Sequence, residues 1–228
     1  MAMTTTSARL RAAYVALALT DAVLAGTAGA WAHRARFVTK PLLMPTLAGS
    51  LLSSSRAARS PLRNGTLVAQ ACGWGGDVAL LRHGTRAFAT GTASFGVGHV
   101  AYAAGFVRRR DPALRLTTRP ASRALAGVWL LSVPPMSVGA ARTAPVLGPA
   151  VAAYSALLTT MTATALHADL PPESRRLTAS GALLFLVSDT LLGARQFLLT
   201  DSPQRLETVV MATYTAAQLL LAEGAARA

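Results

Sequence analysis

Apolar runs of about twenty residues recur along the chain, separated by short segments rich in arginine, glycine and proline. A transmembrane helix needs about 20 mostly apolar residues, fewer where neighbouring helices bury it. On that criterion the pattern predicts eight spans, over roughly 11–31, 41–54, 64–81, 86–107, 122–140, 145–166, 177–199 and 206–223. The first is too long and too poor in a cleavage site for a removed signal peptide, so it reads as a retained anchor. The second is short. It carries Pro41, suited to a helix start, and Pro45, which bends a helix unless neighbours satisfy the freed carbonyl. The expected fold is all-α: a polytopic bundle of eight transmembrane helices over 11–223, with tails at 1–10 and 224–228.

Composition agrees. Of 228 residues 52% are hydrophobic and 14% charged, against about 25% charged in a typical soluble domain. Mean hydropathy is +0.41. The net charge of +13 invites a nucleic-acid reading, but that needs cations gathered on a water-facing surface. Here they sit in short clusters between apolar runs, so no nucleic-acid partner is expected; the clusters suit topology and lipid headgroups. Cys72 is the only cysteine, which excludes an intrachain disulfide. With the N-terminus inside, fourteen basic residues fall in inner segments and seven in outer ones, so both termini are expected in the cytoplasm. The Ala- and Arg-rich composition suits a GC-rich bacterial genome and hence a multi-pass protein of the bacterial inner membrane.

Two stretches look duplicated. Pro41 and Pro45 match Pro145 and Pro149, each pair heading a span; Gly76-Asp77 matches Ser188-Asp189, each late in a span with Arg82 or Arg195 shortly after. The shift is four spans, an even number, so the halves are expected to be two parallel four-helix repeats.

Charges within a span cost at least ~2.5–3.5 kcal/mol at the bilayer centre and are kept for function or pairing. Asp21, Asp77 and Asp189 lie well inside spans. Asp77 and Asp189 are expected at similar depth in the outer half, on parallel helices. Two carboxylates there cannot both stay ionised cheaply, so one is expected to keep its proton. That division makes a general acid and a general base. The alternative is that each pairs with a cation, such as Lys40 or Arg195, purely to pin helices. Asp21 suits a structural hydrogen bond or a supporting role as well as direct chemistry. In span four, Gly91, Ser94 and Gly98 line one face at helical spacing, which permits close helix contact. His99 and Tyr102 share roughly that side; His99 suits orienting an aspartate or binding a headgroup. No second His or Cys stands at ligand spacing from it, so neither a metal nor a cofactor is expected. Lys40 and Arg195, near outer span ends, suit a phosphate or simple snorkelling to the interface. Trp74 serves packing or substrate contact equally well.

In their order, Thr39-Lys40-Pro41-Leu42-Leu43-Met44-Pro45, Gly76-Asp77, Ser94-Phe95 with His99 and Tyr102, and Ser188-Asp189-Thr190-Leu191-Leu192 resemble the YhhN family of lysoplasmalogenases. These are eight-span membrane proteins related to the mammalian plasmalogen-degrading enzyme. The resemblance implies a hydrolase that cleaves the vinyl-ether bond of a lysoplasmalogen to a fatty aldehyde and a glycerophospho-headgroup. It implies Asp77 and Asp189 as the catalytic pair and a lysolipid, drawn from the surrounding membrane lipids, as partner. Lys40, Arg195, His99, Tyr102 and Ser188 are then the candidate substrate contacts. A small proton-coupled transporter or lipid carrier is the rival, because paired aspartates and duplicated halves are transporter features too. A structural membrane protein whose acids lock helices together is the third possibility.

Overall fold

The computed structural model describes residues 5–228, and they form eight helices with no strand among them. These are α1 (Thr5–Ala25), α2 (Ala30–Leu52), α3 (Arg63–Leu80), α4 (Thr85–Val107), α5 (Pro120–Thr143), α6 (Leu147–Leu166), α7 (Pro172–Phe197) and α8 (Arg205–Ala226). Four of them, α5 to α8, are long and apolar enough to cross a membrane. Residues 1–4 of the expected N-terminal tail lie outside the described residues. From Thr5 the tail is already helix, with Ser7 buried and its hydroxyl donating to the Ser50 carbonyl at 2.8 Å. At the other terminus, α8 runs beyond residue 223 and buries Gly224, Ala225 and Ala226.

The largest departure from the expected boundaries is at the first turn. Gly29 adopts φ 117°, a left-handed conformation open to glycine, and α2 begins directly after it. The hydropathy pattern runs straight through Gly26-Thr27-Ala28-Gly29, and Arg34, Arg36 and Lys40 then look like a loop. They are helix. Pro41 and Pro45 therefore lie inside α2 rather than at its head, whereas Pro145 precedes α6 and Pro149 sits in its first turn. That half of the supposed duplication does not hold. Pro45 has no N–H to offer the carbonyl four residues back, and that carbonyl, Pro41 O, accepts from Trp74 Nε1 of α3 at 3.0 Å. A neighbouring helix thus repairs the ladder, which gives Trp74 a structural task.

Successive helices run in opposite directions. At one end the start of α1 meets the ends of α2 and α8, through Ser7–Ser50 and through Arg11 to Glu223 at 2.9 Å. There too Arg227 near the end of α8 pairs with Glu173 at the start of α7, at 2.7 Å. At the other end the starts of α2 and α8 and the end of α7 converge. Both termini thus share the end opposite that convergence.

Small residues set the closest approaches. A Cβ on Gly98 would stand 3.2 Å from the Ala69 carbonyl, and one on Gly91 2.7 Å from Leu80, so α3 and α4 meet along the face expected from Gly91, Ser94 and Gly98. Ser94 completes that contact by donating to the Cys72 carbonyl at 2.7 Å. Between α7 and α8, Gly181 plays the same part: a Cβ there would lie 3.0 Å from the Ala217 carbonyl and 3.0 Å from Leu221 N. Gly127 on α5, by contrast, has open space where a Cβ would go. Gly181→Ala is expected to destabilise the protein by about 1–3 kcal/mol through overpacking. Gly127→Ala is expected to be neutral or to stabilise by up to ~1 kcal/mol through helix propensity. Melting temperatures of the two variants in detergent check this pair of opposite signs.

Candidate active site

The convergent ends of the helices enclose a cavity of about 890 Å³, within the range of small-molecule sites. Asp77 and Asp189 both line it. Each is held by a tyrosine from a different helix. Tyr214 of α8 donates to Asp77 Oδ2 at 2.8 Å, and Tyr154 of α6 donates to Asp189 Oδ2. Phe95, Phe185 and Tyr214 pack edge to face, with ring centroids 5.5–6.4 Å apart, and His99 stands edge-on to Phe185 at 4.9 Å. This aromatic cluster fills the space beside the two carboxylates. It leaves them little polar company beyond the tyrosines.

Their charge partners differ. Lys40 Nζ lies 3.4 Å from Asp77 Oδ1, both side chains almost fully buried at 8% and 1% exposure. Lys40 reaches Asp77 because α2 starts at Ala30, which puts this lysine well down the helix instead of at an interfacial end. Among the described residues Asp189 has no ion pair. Arg195, one turn and a half along α7, turns instead to Glu207 of α8 at 2.8 Å.

A chain of charges crosses the mouth. Asp21 of α1, fully buried, accepts from Arg36 at 3.3 and 3.4 Å and from Thr39 at 2.7 Å. Arg36 also donates to Glu207 at 2.9 Å, and Glu207 holds Arg195. Asp21–Arg36–Glu207–Arg195 therefore ties α1, α2, α8 and α7 together at the rim. Asp21 has the structural hydrogen bond that was one of its expected roles.

Of the expected substrate contacts, Lys40, Arg195 and Ser188 line the cavity. The Ser188 hydroxyl is spent on the Val210 carbonyl at 2.9 Å, joining α7 to α8. His99 and Tyr102 stand behind the wall. His99 Nε2 contacts the Tyr154 hydroxyl at 3.0 Å while its Nδ1 is buried without a partner. Since that hydroxyl's proton goes to Asp189, the pair is satisfied with Nε2–H donating to Tyr154. Tyr102 donates to Gln218 at 2.9 Å. No group of three or more metal-binding side chains occurs among the described residues.

Tyr154, Tyr214, Arg36 and Glu207 were not singled out from the sequence. A usable signal existed for the tyrosines. The chain has four, all within predicted spans, and each buried hydroxyl needs a partner; two carboxylates in the same bundle need donors. The other two tyrosines, Tyr14 and Tyr102, bond to the Thr215 carbonyl and to Gln218.

Breaking one side of a buried ion pair costs about 3–5 kcal/mol, so Asp21→Asn is expected to lower stability by that order. Once Arg36→Gln is present, the same change is expected to cost much less. A double-mutant cycle by thermal melting measures that coupling.

Over residues 35–225 the chain matches the YhhN family. No curated protein and no solved structure matches it significantly.

Proposed function

The chain belongs to the YhhN family, and from that premise we propose that it is an integral membrane hydrolase cleaving the vinyl-ether bond of lysoplasmalogen-type lysolipids. All eight helices cross the bilayer in this reading. It is supported on α1 to α4 by large apolar side chains that face outward, among them Leu19, Val23, Val38 and Val97, each more than half exposed. The end carrying both termini faces the cytoplasm, because the arginine-rich segment 108–119 lies there. The membrane is the bacterial inner membrane.

The observation that carries the chemistry is one cavity lined by two carboxyls with unequal partners. A vinyl ether hydrolyses by slow protonation of its β-carbon, which leaves an oxocarbenium ion. Water adds to that ion, and the resulting hemiacetal collapses to an aldehyde and the glycerol hydroxyl. We assign the proton donor to Asp189, which faces only the neutral Tyr154 hydroxyl. Asp77 stays anionic opposite Lys40, stabilises the cation and takes a proton from the attacking water. Glycosidases divide the work between two carboxyls in the same manner at an oxocarbenium-like transition state. His99 and Tyr154 act as positioning residues, fixing the face that Asp189 presents. Arg195 sits at the rim, where the phosphate of a lysolipid would lie with its chain in the bundle. Its Nε is buried without a partner, so a donor is left for a further anion.

Aldehyde release from a lysoplasmalogen by the detergent-purified protein is the direct test. Asp77→Asn and Asp189→Asn are each expected to lower turnover at least ~100-fold, the usual range for a lost general acid or base. Asp189→Asn is expected to keep its melting behaviour, whereas Asp77→Asn also leaves Lys40 buried without its ion pair and lowers stability. Tyr154→Phe is expected to cost roughly tenfold in kcat, the worth of one hydrogen bond to a reacting carboxyl. Near-normal turnover in either Asn variant overturns the pairing. Substrate uptake driven by a pH gradient in proteoliposomes, with no aldehyde formed, overturns the hydrolase.

A further inference from the structure

The cavity is larger than the reacting groups require, and its shape is informative. Below Asp189 it continues as a lobe between α5, α6 and α7. Its walls come from Trp129 and Val133 of α5, Ser155 and Thr159 of α6, and Leu186 of α7. From Leu147 at the rim to Thr159 along α6 is twelve residues, about 18 Å of helix. Of that length, Tyr154 to Thr159, about 7.5 Å of helix, lies beyond the Asp189 carboxyl.

The lobe is lined by apolar side chains together with the hydroxyls of Ser155 and Thr159 and the indole of Trp129, whose Nε1 is buried without a partner. Thr190 donates to the Leu186 carbonyl at 2.7 Å and Ser132 to the Val128 carbonyl at 2.7 Å, each within its own helix. The lobe has a floor. No residue of α5 before Val128, of α6 after Thr159 or of α7 before Leu186 lines the cavity, so it ends at that level. The top of the lobe is Asp189 with Tyr154, the residue directly before Ser155. The wall formed by α5 is also the least braced: this helix packs on α6 and α7, and Pro134 and Pro135 remove two of its own backbone hydrogen bonds.

We propose that this lobe is the binding site for the stretch of aliphatic chain next to the ether, and that Ser155, Thr159 and Trp129 set how much of the chain it accepts. The inference rests on the hydrolase reading for the position of the headgroup. In an alkenyl ether the scissile bond lies where chain meets glycerol. A chain held in the lobe, with its phosphate at the rim by Arg195, therefore places that bond at the level of Asp189. The chain would stand parallel to those of the surrounding leaflet and need not leave an apolar environment to react.

Binding tests the lobe separately from turnover. The probes are non-hydrolysable alkyl-ether lysolipids of graded chain length, offered as an equimolar mixture to the full-length protein in detergent and read by native mass spectrometry. Each buried methylene is worth about fourfold in affinity. Thr159→Phe and Ser155→Phe are therefore expected to lower the ratio of long to short chains bound by about tenfold. Trp129→Ala, which enlarges the lobe, is expected to raise it. Val97→Phe on the outer face of α4 is expected to leave it at the wild-type value. An unchanged ratio in a folded Thr159→Phe or in Trp129→Ala overturns the proposal. If the ratios move as expected and no aldehyde is formed from a lysoplasmalogen, the chain site stands and the hydrolase reading falls.

Discussion

A carboxylate inside an apolar bundle is stable only if something replaces the water it has lost, and this requirement organises the molecule around its cavity. Asp77 is met by Lys40 and Tyr214, Asp189 by Tyr154, and Asp21 by Arg36 and Thr39. These partners come from α2, α6 and α8, while the acids themselves sit on α1, α3 and α7. Satisfying three acids therefore pins six helices in mutual register. Removing Lys40 or Arg36 leaves a buried carboxylate without its ion pair, a larger loss than the pair itself contributes. Where the acids cluster, the helices cannot slide.

The rest of the bundle supplies what those charges need, namely dryness and a fixed distance. Glycines let α3 approach α4, and α7 approach α8, almost backbone to backbone. The space beside the carboxyls is filled by edge-to-face rings of Phe95, Phe185 and Tyr214. Helices α3 and α7, which carry the aspartates, are thus the most closely held. Helix α5, which carries none of the charged groups at the site and two adjacent prolines, forms the loosest wall. The division is functional in the proposed reading: rigid helices present the reacting groups, and a more compliant one faces the variable part of the substrate.

Much of the site was visible in the chain. Asp77 and Asp189 stand out because charge is rare within an apolar span, and Lys40 and Arg195 because they stand close by in sequence or pattern. Their pairing was not visible. Lys40 reads as an interfacial residue as long as α2 is taken to begin near Pro41, since hydropathy counts a basic segment as loop. A single glycine with a positive φ at position 29 moves the boundary and takes the lysine inward. Arg195 reads equally well as a partner of Asp189, yet it turns to Glu207 on the next helix.

The amino-acid sequence by itself determined the all-helical architecture, the number of helices and the acids that meet in the cavity, because apolar run length and the cost of intramembrane charge are local properties of a chain. It also determined that Pro45 would need outside help, although not that Trp74 would give it. Only the tertiary structure decided which cation faces which acid, that Tyr154 and Tyr214 hold the two cavity acids, that His99 and Tyr102 stand behind the wall, and how far the cavity runs between α5, α6 and α7. Those depend on the angles and offsets at which helices pack, which are set by many small contacts distributed over the bundle and leave no signature at any one position.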